Sequence, residues 1–274
     1  MRPCFALLLL GAALGSYAVI ENTRLLRTVQ IHLPAKKAPA SLPKLLLLSD
    51  LHSRTFGKNY CHLVQKIAAE KPDYIILTGD LMSRTMCDFS KIHRLLAQLS
   101  RIAPMIMVQG NHELDLPPKQ HMAFCDVLHQ NGVHLLDNEI LTLNGTTFAG
   151  LTLTRSHYRT ETGYRNLAEC TAEEIRAVLG DCPPNTILLA HNPLFFPAYA
   201  QWGAALVLSG HVHGGAVRLP ILGGLLSPER RFFPRYSKGV YQSGNTLMAV
   251  SGGLGKLRLF NPPELPVISV KTHE

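Results

Sequence analysis

Polar side chains that can bind metal ions follow five separate apolar runs of the sequence. They offer carboxylate, imidazole and amide donors, and none of them is a cysteine. The seven candidates are Asp50, His52, Asp80, Asn111, His191, His211 and His213, with His112 directly after Asn111. Oxygen and imidazole donors suit Mn²⁺, Fe²⁺ or Zn²⁺ and argue against soft-metal and iron–sulfur sites. This donor set predicts a site for divalent transition metals.

The size of the donor set indicates two metal ions rather than one. Seven donors are too many for one tetrahedral ion, whereas two ions that share a carboxylate accommodate them. Two cations about 3.5–4 Å apart clamp a phosphoryl group and stabilise both its attacking and its leaving oxygen. They also lower the pKa of a bound water and supply hydroxide near neutral pH. The expected chemistry is hydrolysis of a phosphate ester or a pyrophosphate.

The apolar runs that precede these residues predict an α/β fold with a mostly parallel sheet. Strand-then-helix repeats of about 30 residues predict right-handed βαβ units. The predicted strands are 45–48, 74–77, 105–108, 187–190, 206–209, 247–250 and 267–270, and the predicted helices are 60–70 and 92–99. The last two strands are expected to complete a second sheet, and Asn144-Gly145 predicts a hairpin turn. Because ligands bind beyond the carboxyl ends of parallel strands, the polar residues are expected to converge.

Length and composition exclude several classes of protein. The chain has 274 residues, of which 46% are hydrophobic and 17% are charged, and these values exclude a disordered chain. The six cysteines form no CxxC pair, so we expect neither a zinc ribbon nor a thioredoxin motif but buried free thiols. A net charge of +8 suits a phosphate-rich partner, namely nucleic acid, anionic lipid or a phosphorylated substrate.

An uncharged apolar segment, residues 4–20, lies ahead of the predicted domain. Its length is at the short end of the roughly 17–25 residues that a membrane-spanning helix needs. A single-pass anchor is expected, with a cleaved signal peptide or a buried helix as alternatives. The lysines and arginines that follow favour a cytoplasmic domain, and an extracytoplasmic domain remains the alternative. The expected organisation is an anchor over 1–21, a Pro- and Lys-containing tether over 22–43 and the main domain over 44–274.

The five motifs resemble those of the calcineurin-like metallophosphoesterases. That family carries D-x-H, GD, GNH(D/E), H and GHxH in this order, and the chain has SDLH (49–52), GD (79–80), GNHE (110–113), His191 and GHVH (210–213). The resemblance covers about residues 44–270 and is particular to the bacterial membrane-associated, YkuE/YaeI-like branch. It implies a four-layer α/β/β/α sandwich of two mixed sheets flanked by helices, and a location at the bacterial cell membrane.

The resemblance also implies a role for each matched residue. Two divalent ions, Mn, Fe or Zn, would be held with Asp80 as the bridge. The ligands of the first ion would be Asp50, His52, Asp80 and His213. Those of the second would be Asp80, Asn111, His191 and His211. His112 would be the catalytic residue that donates a proton to the leaving oxygen or stabilises the transition state.

The residues expected around the metals are less constrained by the motifs. Glu113 and Asp115 are expected to orient His112 or a ligand imidazole, with a plain surface position as the alternative for Glu113. Arg84, Arg54 and Asn59 are candidate substrate contacts because they follow Asp80 and Asp50 in the sequence, and a solvated loop position is the alternative for each. The basic, aromatic stretch 229–238 fits either contact with an anionic lipid headgroup or a solvated loop with buried phenylalanines.

These observations predict a membrane-associated phosphohydrolase with two metal ions, which cleaves a phosphoester or pyrophosphate bond. Within the resemblance, a lipid-linked substrate such as UDP-2,3-diacylglucosamine is one candidate. The expected partners are a phosphorylated small-molecule or lipid substrate and the membrane, and no protein partner is expected. The alternatives are a nuclease or nucleotide phosphodiesterase, and a metal-free scaffold with the same fold. All ligand positions are filled, which favours an enzyme over the scaffold.

Overall fold

Two six-stranded sheets dominate the computed structural model, which describes residues 11–13, 15–21, 25–39, 41–215, 217–219, 222–227, 230, 232–256 and 258–270. The first sheet has the strand order β1-β14-β2-β3-β4-β5. Its strands are β1 (Arg27–Leu33), β2 (Leu45–Leu48), β3 (Tyr74–Leu77), β4 (Met105–Met107), β5 (Val133–Leu135) and β14 (Glu264–Val270). All neighbouring pairs in it are parallel except β14 with β2.

The second sheet has the order β12-β13-β9-β8-β7-β6. Its strands are β6 (Glu139–Leu143), β7 (Thr146–Leu151), β8 (Ile187–Ala190), β9 (Leu206–Ser209), β12 (Gly239–Ser243) and β13 (Thr246–Val250). The outer pairs β6–β7 and β12–β13 are antiparallel, and the inner pairs are parallel. A two-stranded ribbon, β10 (Arg218–Leu219) with β11 (Gly223–Gly224), lies outside both sheets.

Helices cover the outer face of each sheet. The helices are α2 (Cys61–Glu70), α3 (Ser90–Leu99), α4 (Asn111–Leu114), α5 (Pro118–Gln130), α6 (Ala172–Leu179) and α7 (Phe196–Trp202). Side chains of α2, α3 and α5 share a core with the first sheet, and those of α6 and α7 share one with the second. A third core lies between the sheets. The predicted four-layer α/β/β/α sandwich of two mixed sheets flanked by helices is therefore confirmed.

The short central strands are buried along their whole length because both of their faces are covered. In β2, Leu46 and Leu48 pack in the helix-side core, while Leu45 and Leu47 pack in the core between the sheets. This alternation is the period of two that a strand imposes on its side chains. An uninterrupted apolar run is thus the sequence signal of a strand in the middle of this sandwich.

The predicted hairpin at Asn144-Gly145 is confirmed as the connection between β6 and β7. Both turn residues have positive φ, 47° and 79°, which matches the right-handed twist of the strands that they join. Elsewhere, Phe232 and Phe233 are 70% and 54% exposed, which does not fit the alternative of a solvated loop with buried phenylalanines. The expectation of buried thiols is wrong for the five described cysteines: Cys87 is exposed, and the others, Cys61, Cys125, Cys170 and Cys182, are half-buried.

The expected tether over 22–43 contains a strand instead. Arg27–Leu33 forms β1, which pairs in parallel with β14. Leu33, at its end, is fully buried in the core between the sheets. The prolines and lysines that suggested a tether lie after the strand, where the chain turns toward β2. The strand β14 also differs from expectation, because it lies in the first sheet and not in the second.

The expected single-pass anchor over 4–20 is corrected. No helix in the described parts of the chain has the length and apolarity needed to cross a bilayer, and this overturns the membrane localisation inferred from it. Residues 4–10 and 14 of that segment lie outside the described residues. Residues 11–13 and 15–21 are helical and are called α1. Glu21, the last of these that the structure describes, is fully buried and accepts a hydrogen bond from Phe260 N–H at 2.7 Å.

Candidate metal centre

Loops at the carboxyl ends of five strands bring the candidate ligands together. Asp50 and His52 follow β2, Asp80 follows β3, and Asn111 opens α4 just after β4. The second sheet contributes the loops after β8 and β9, which carry the remaining candidates His191, His211 and His213. Because both sheets direct these ends to one place, residues more than 100 positions apart become neighbours, as in the hydrogen bond that joins His191 to Thr78.

Asp80 lies at the centre of the cluster. Its carboxylate is 2% exposed, and its Oδ1 accepts a hydrogen bond from His112 N–H at 2.8 Å. Its Oδ2 lies 3.5 Å from His191 Nε2, 3.8 Å from His112 Nε2 and 3.9 Å from His52 Nε2. A single carboxylate oxygen thus faces imidazoles from three different loops, which is the position that a bridging ligand requires.

Asp50 occupies a second, fully buried position beside the GHVH loop. Its Oδ2 accepts hydrogen bonds from Ser49 Oγ at 2.6 Å and from His211 N–H at 3.2 Å. Its Oδ1 lies 3.7 Å from His213 Nε2. Asp50 thereby connects the loop after β2 in one sheet with the loop after β9 in the other.

Two pairs of imidazole nitrogens face each other across the site. His52 Nε2 lies 3.3 Å from His213 Nε2, and His211 Nδ1 lies 3.2 Å from His191 Nε2. His191 Nδ1 lies 2.6 Å from the carbonyl oxygen of Thr78, so this nitrogen carries a proton and Nε2 is the nitrogen that can bind a cation. Two imidazole nitrogens at such a distance require a shared proton or cation between them, and a metal ion supplies the latter.

The donor chemistry fits divalent metal ions. Asn111 Oδ1 is buried and has no hydrogen-bond partner among the described residues, as expected of an oxygen reserved for a cation. Ligand atoms lie within 4.8 Å of one another in three groups, which are Asp50, His52 and His213; His52, Asp80 and His112; and Asp80, His191 and His211. Carboxylate and imidazole donors of this kind suit Mn²⁺, Fe²⁺ or Zn²⁺.

The backbone around these donors adopts conformations that are rare elsewhere. Five of the candidate ligands have positive φ, namely Asp50, His52, Asp80, His211 and His213. Such geometry is costly for a residue with a side chain and is concentrated at functional sites. The preceding glycines allow close approach, since a Cβ on Gly210 would lie 1.8 Å from Ser49 Oγ and one on Gly110 would lie 2.4 Å from Asp80 Oδ1.

Burial and charge act in opposite directions on the titratable groups. Burial would raise the pKa of Asp80, but the neighbouring imidazoles, His191 first, hold it well below its usual value. Burial would lower the pKa of His191, but Asp80 and Asp50 raise it to about 9. For His112 and His213 burial prevails and lowers the pKa to about 4 and about 3. Asp80 is therefore an anion and His112 is neutral at pH 7.

Glu113 is fully buried and binds the backbone around the site. Its Oε2 accepts hydrogen bonds from Asp80 N–H at 2.8 Å and from Gly110 N–H at 2.9 Å. Its Oε1 accepts one from Leu81 N–H at 2.8 Å. Glu113 thus connects the loop after β3 with the loop after β4. From the sequence, Glu113 was expected beside an imidazole, whereas in the structure it accepts hydrogen bonds from main-chain amides.

An open cleft of about 500 Å³ adjoins the cluster. It is lined by candidate ligands and by polar and aromatic side chains of neighbouring loops. The latter are Arg84, His112, Asp115, Arg155, Tyr158, Arg159 and Tyr164. Arg84 N–H donates to His112 Nδ1 at 3.2 Å, and Arg84 Nη2 lies 3.1 Å from His112 Nε2. Of the three predicted substrate contacts, Arg84 is the one placed in the cleft.

Arg54 and Asn59 lie elsewhere. The Arg54 side chain is buried, donates to the carbonyl oxygens of Leu254 and Gly255 at 2.7 and 2.9 Å, and stacks on Phe56. These contacts attach the loop after β2 to the loop after β13. Asn59 is exposed in the loop before α2. Neither residue lines the cleft.

Arg155, Arg159 and the two tyrosines of the cleft were missed by sequence reasoning. They lie in the long connection between β7 and α6, which has no apolar run to mark its position. Asp115 holds Arg155 and Arg159 beside the metal cluster through ion pairs, although it lies at least 40 residues away from them in sequence. The nearest sequence signal is that Asp115 follows GNHE by one residue.

Comparison with known proteins identifies the architecture and the motifs together. The family model of the calcineurin-like phosphoesterases matches residues 43–215. A metallophosphoesterase of Aquifex aeolicus (strain VF5) is 28% identical over 96% of this chain and 98% of its own length. The metallophosphoesterase YkuE of Bacillus subtilis is 26% identical over 84% and 79%. The phosphodiesterase YaeI of Escherichia coli is 27% identical over 83% and 82%.

The fold, the clustered donors and the matching family model lead to one assignment. Enzymes of this family use a dinuclear metal centre, and the aspartate and histidine groups described above can hold such ions. The chain belongs to the calcineurin-like phosphoesterase family and is a metallophosphoesterase, a hydrolase with a metal-binding site at the carboxyl ends of its two sheets.

Proposed function

We propose that the chain is a dinuclear-metal phosphohydrolase that cleaves a phosphoester or pyrophosphate bond in the cleft beside Asp80. The observation that carries the proposal is the position of Asp80 Oδ2 within 3.5–3.9 Å of three imidazole nitrogens. When bound, the two metal ions supply an activated water and neutralise charge on the phosphoryl oxygens.

The proposed ligand sets follow the observed groups of donors. The first ion takes Asp50, His52, Asp80 and His213. The second ion takes Asp80, Asn111, His191 and His211. Two of the three observed donor groups are subsets of these sets. The third group includes His112 with His52 and Asp80, and we assign His112 to the substrate because its ring also contacts Arg84.

His112 and Arg84 present two N–H donors to the same point of the cleft. The backbone N–H of Arg84 donates to His112 Nδ1, so the neutral ring carries its proton on Nε2. Arg84 Nη2, which is also a donor, lies 3.1 Å from that nitrogen. Two adjacent donors require a common acceptor, and a phosphoryl or leaving-group oxygen meets this need. His112 Nε2 is thereby placed to donate a hydrogen bond or proton to the reacting phosphate.

Phosphodiesters head the proposed range of substrates because the relative YaeI is named a phosphodiesterase. The arginines that line the cleft suit the phosphate group that these substrates share. A lipid-linked pyrophosphate such as UDP-2,3-diacylglucosamine stays within this proposal, as does a nucleotide phosphodiester. The substrate panel therefore contains a chromogenic phosphomonoester, a chromogenic phosphodiester, UDP-2,3-diacylglucosamine and single- and double-stranded DNA.

The test compares wild-type protein with Asp80→Asn, with Mn²⁺ added, on that panel. We expect the variant to lose at least about a hundredfold in kcat/KM, the scale of losing a main electrostatic contact in a transition state. His134→Gln, an exposed histidine of β5, is the matched control and should retain activity. Equal activity of the wild type and Asp80→Asn on every substrate would contradict the proposal. The metal content of the wild type and of Asp80→Asn is also measured, in order to distinguish a variant that has lost a metal ligand from one that has lost its fold.

A further inference from the structure

Three arginines surround one carboxylate in the cleft that also contains the metal ligands. The Asp115 side chain is 4% exposed, and its Oδ1 lies 2.7 Å from Arg159 Nη2 and 3.4 Å from Arg155 Nε. Its Oδ2 lies 3.2 Å from Arg84 Nη1. Three positive charges thus meet one negative charge, which leaves a surplus of two positive charges facing the cleft. Such a surplus attracts an anion.

Arg155 and Arg159 are held in place but retain free donor capacity. Their side chains are 58% and 45% exposed. Arg155 also donates to the carbonyl oxygen of Leu114 at 2.7 Å, which fixes its orientation. Within the described part of the chain, the Arg159 guanidinium bonds to Asp115 through one nitrogen. Most of its five N–H donors are therefore available to a ligand.

Arg84 connects this cluster with the reacting phosphate. One of its terminal nitrogens lies 3.1 Å from His112 Nε2, and the other lies 3.2 Å from Asp115 Oδ2. Arg155 and Arg159 share Asp115 with Arg84. A phosphate bound beside His112 and Arg84 would therefore have these two arginines as neighbours. The same cleft contains all of these groups.

We infer that Arg155 and Arg159 form a second anion subsite, which binds a phosphate located beyond the scissile phosphate. The inference rests on the proposed function, because that function places the scissile phosphate beside His112. Guanidinium groups match phosphate oxygens with paired hydrogen bonds. A substrate with a single phosphate leaves the subsite empty, whereas a pyrophosphate or a doubly phosphorylated ester fills it. Asp115 is then a positioning residue that holds the arginines at the cleft.

The test measures binding without turnover. Isothermal titration calorimetry in the presence of Mn²⁺ compares methylenediphosphonate, which carries two linked anionic groups, with methylphosphonate, which carries one. We expect wild-type protein to bind the diphosphonate more tightly. Arg159→Gln should weaken diphosphonate binding about tenfold, as expected for a charge-assisted hydrogen bond, and change methylphosphonate binding less than about twofold. Arg155→Gln should act in the same direction.

Arg176→Gln is the matched control, since Arg176, on α6, is 46% exposed and pairs with Asp181 just after the end of that helix. It should alter neither affinity. An equal loss for both probes in the Arg155 and Arg159 variants would show that these residues only attach their loop to Asp115, and would overturn the inference. So would a wild-type protein with no preference for the diphosphonate. A clear preference together with no hydrolysis of any substrate would contradict the proposed function and leave the subsite standing.

Discussion

The buried carboxylate of Glu113 shows how the site is held by contacts to the backbone. It accepts hydrogen bonds from three amides, which belong to Asp80, Leu81 and Gly110. These amides would otherwise be buried without partners, at a cost of about 1–3 kcal/mol each. The position of Asp80 therefore depends on a residue that is assigned to neither metal ion.

Glu113→Gln tests this dependence. The amide side chain has one acceptor oxygen instead of two, so at least one backbone N–H loses its partner. We expect the free energy of unfolding to fall by about 1–3 kcal/mol, as measured by urea denaturation of the metal-free protein. Mn²⁺ affinity should fall with it. Glu139→Gln, on an exposed position of β6, is the control. A change below about 0.5 kcal/mol in Glu113→Gln would contradict the role described for this residue.

Sequence reasoning identified the residues that converge at the metal site because each follows an apolar run and carries a metal-binding group. It could not find Arg155 and Arg159. Their connection contains only a short helical turn, Arg155–His157, and no apolar run that would reveal its path, and their place depends on the ion pairs with Asp115. Arg54 was predicted to contact the substrate but does not line the cleft. Closeness to Asp50 in sequence does not determine which way a side chain points.

At the scale of elements, the strand β1 is the main difference between expectation and structure. Its alternation of Val29, Ile31 and Leu33 with polar residues is the pattern of a strand covered on one face. The pattern spans only seven residues, and prolines and lysines follow it. The composition of the whole segment therefore indicated a tether and not a strand. The apolar run of β14 was recognised, but such a run shows only that both faces are covered and not which sheet covers them.

Leu33→Ala tests whether β1 is part of the folded domain. Leu33 is fully buried between the sheets, and truncating a buried leucine costs about 2–5 kcal/mol. Val240→Ala is the matched control, because Val240 lies in β12, an edge strand of the other sheet, and is 45% exposed. Urea denaturation should separate the two variants by at least about 1.5 kcal/mol. Similar stabilities would mean that β1 contributes little to the core.

At the scale of the whole molecule, the candidate metal centre draws its donors from both sheets. The first sheet contributes Asp50 and Asp80, and the second contributes His191 and His211. Neither sheet alone carries a complete set of the proposed ligands. Metal binding should therefore favour the state in which both sheets are folded and aligned, and so should stabilise the molecule against unfolding.

Thermal unfolding of metal-stripped protein, with and without Mn²⁺, measures this effect. At a Mn²⁺ concentration of about 100 times Kd, linkage predicts about 2.7 kcal/mol of stabilisation, which corresponds to a rise in Tm on the order of 5–10 °C. His134→Gln should show the same rise, and Asp80→Asn should show less than half of it. An undiminished rise in Asp80→Asn would mean that Mn²⁺ stabilises the protein at some other place.

The position of β14 between β1 and β2 has a consequence for the order in which the molecule can be made. β1 is among the first described strands to be synthesised, and β14 is the last. Among the described strands, β1 pairs only with β14, so it has no neighbour in the sheet until residues 264–270 leave the ribosome. β2 to β5 can pair as soon as they emerge, and the strands of the other sheet can pair next. Pairing of β1 with β14 is therefore a late step of assembly, and a chain that stops short of β14 leaves both β1 and the edge of β2 open to other strands.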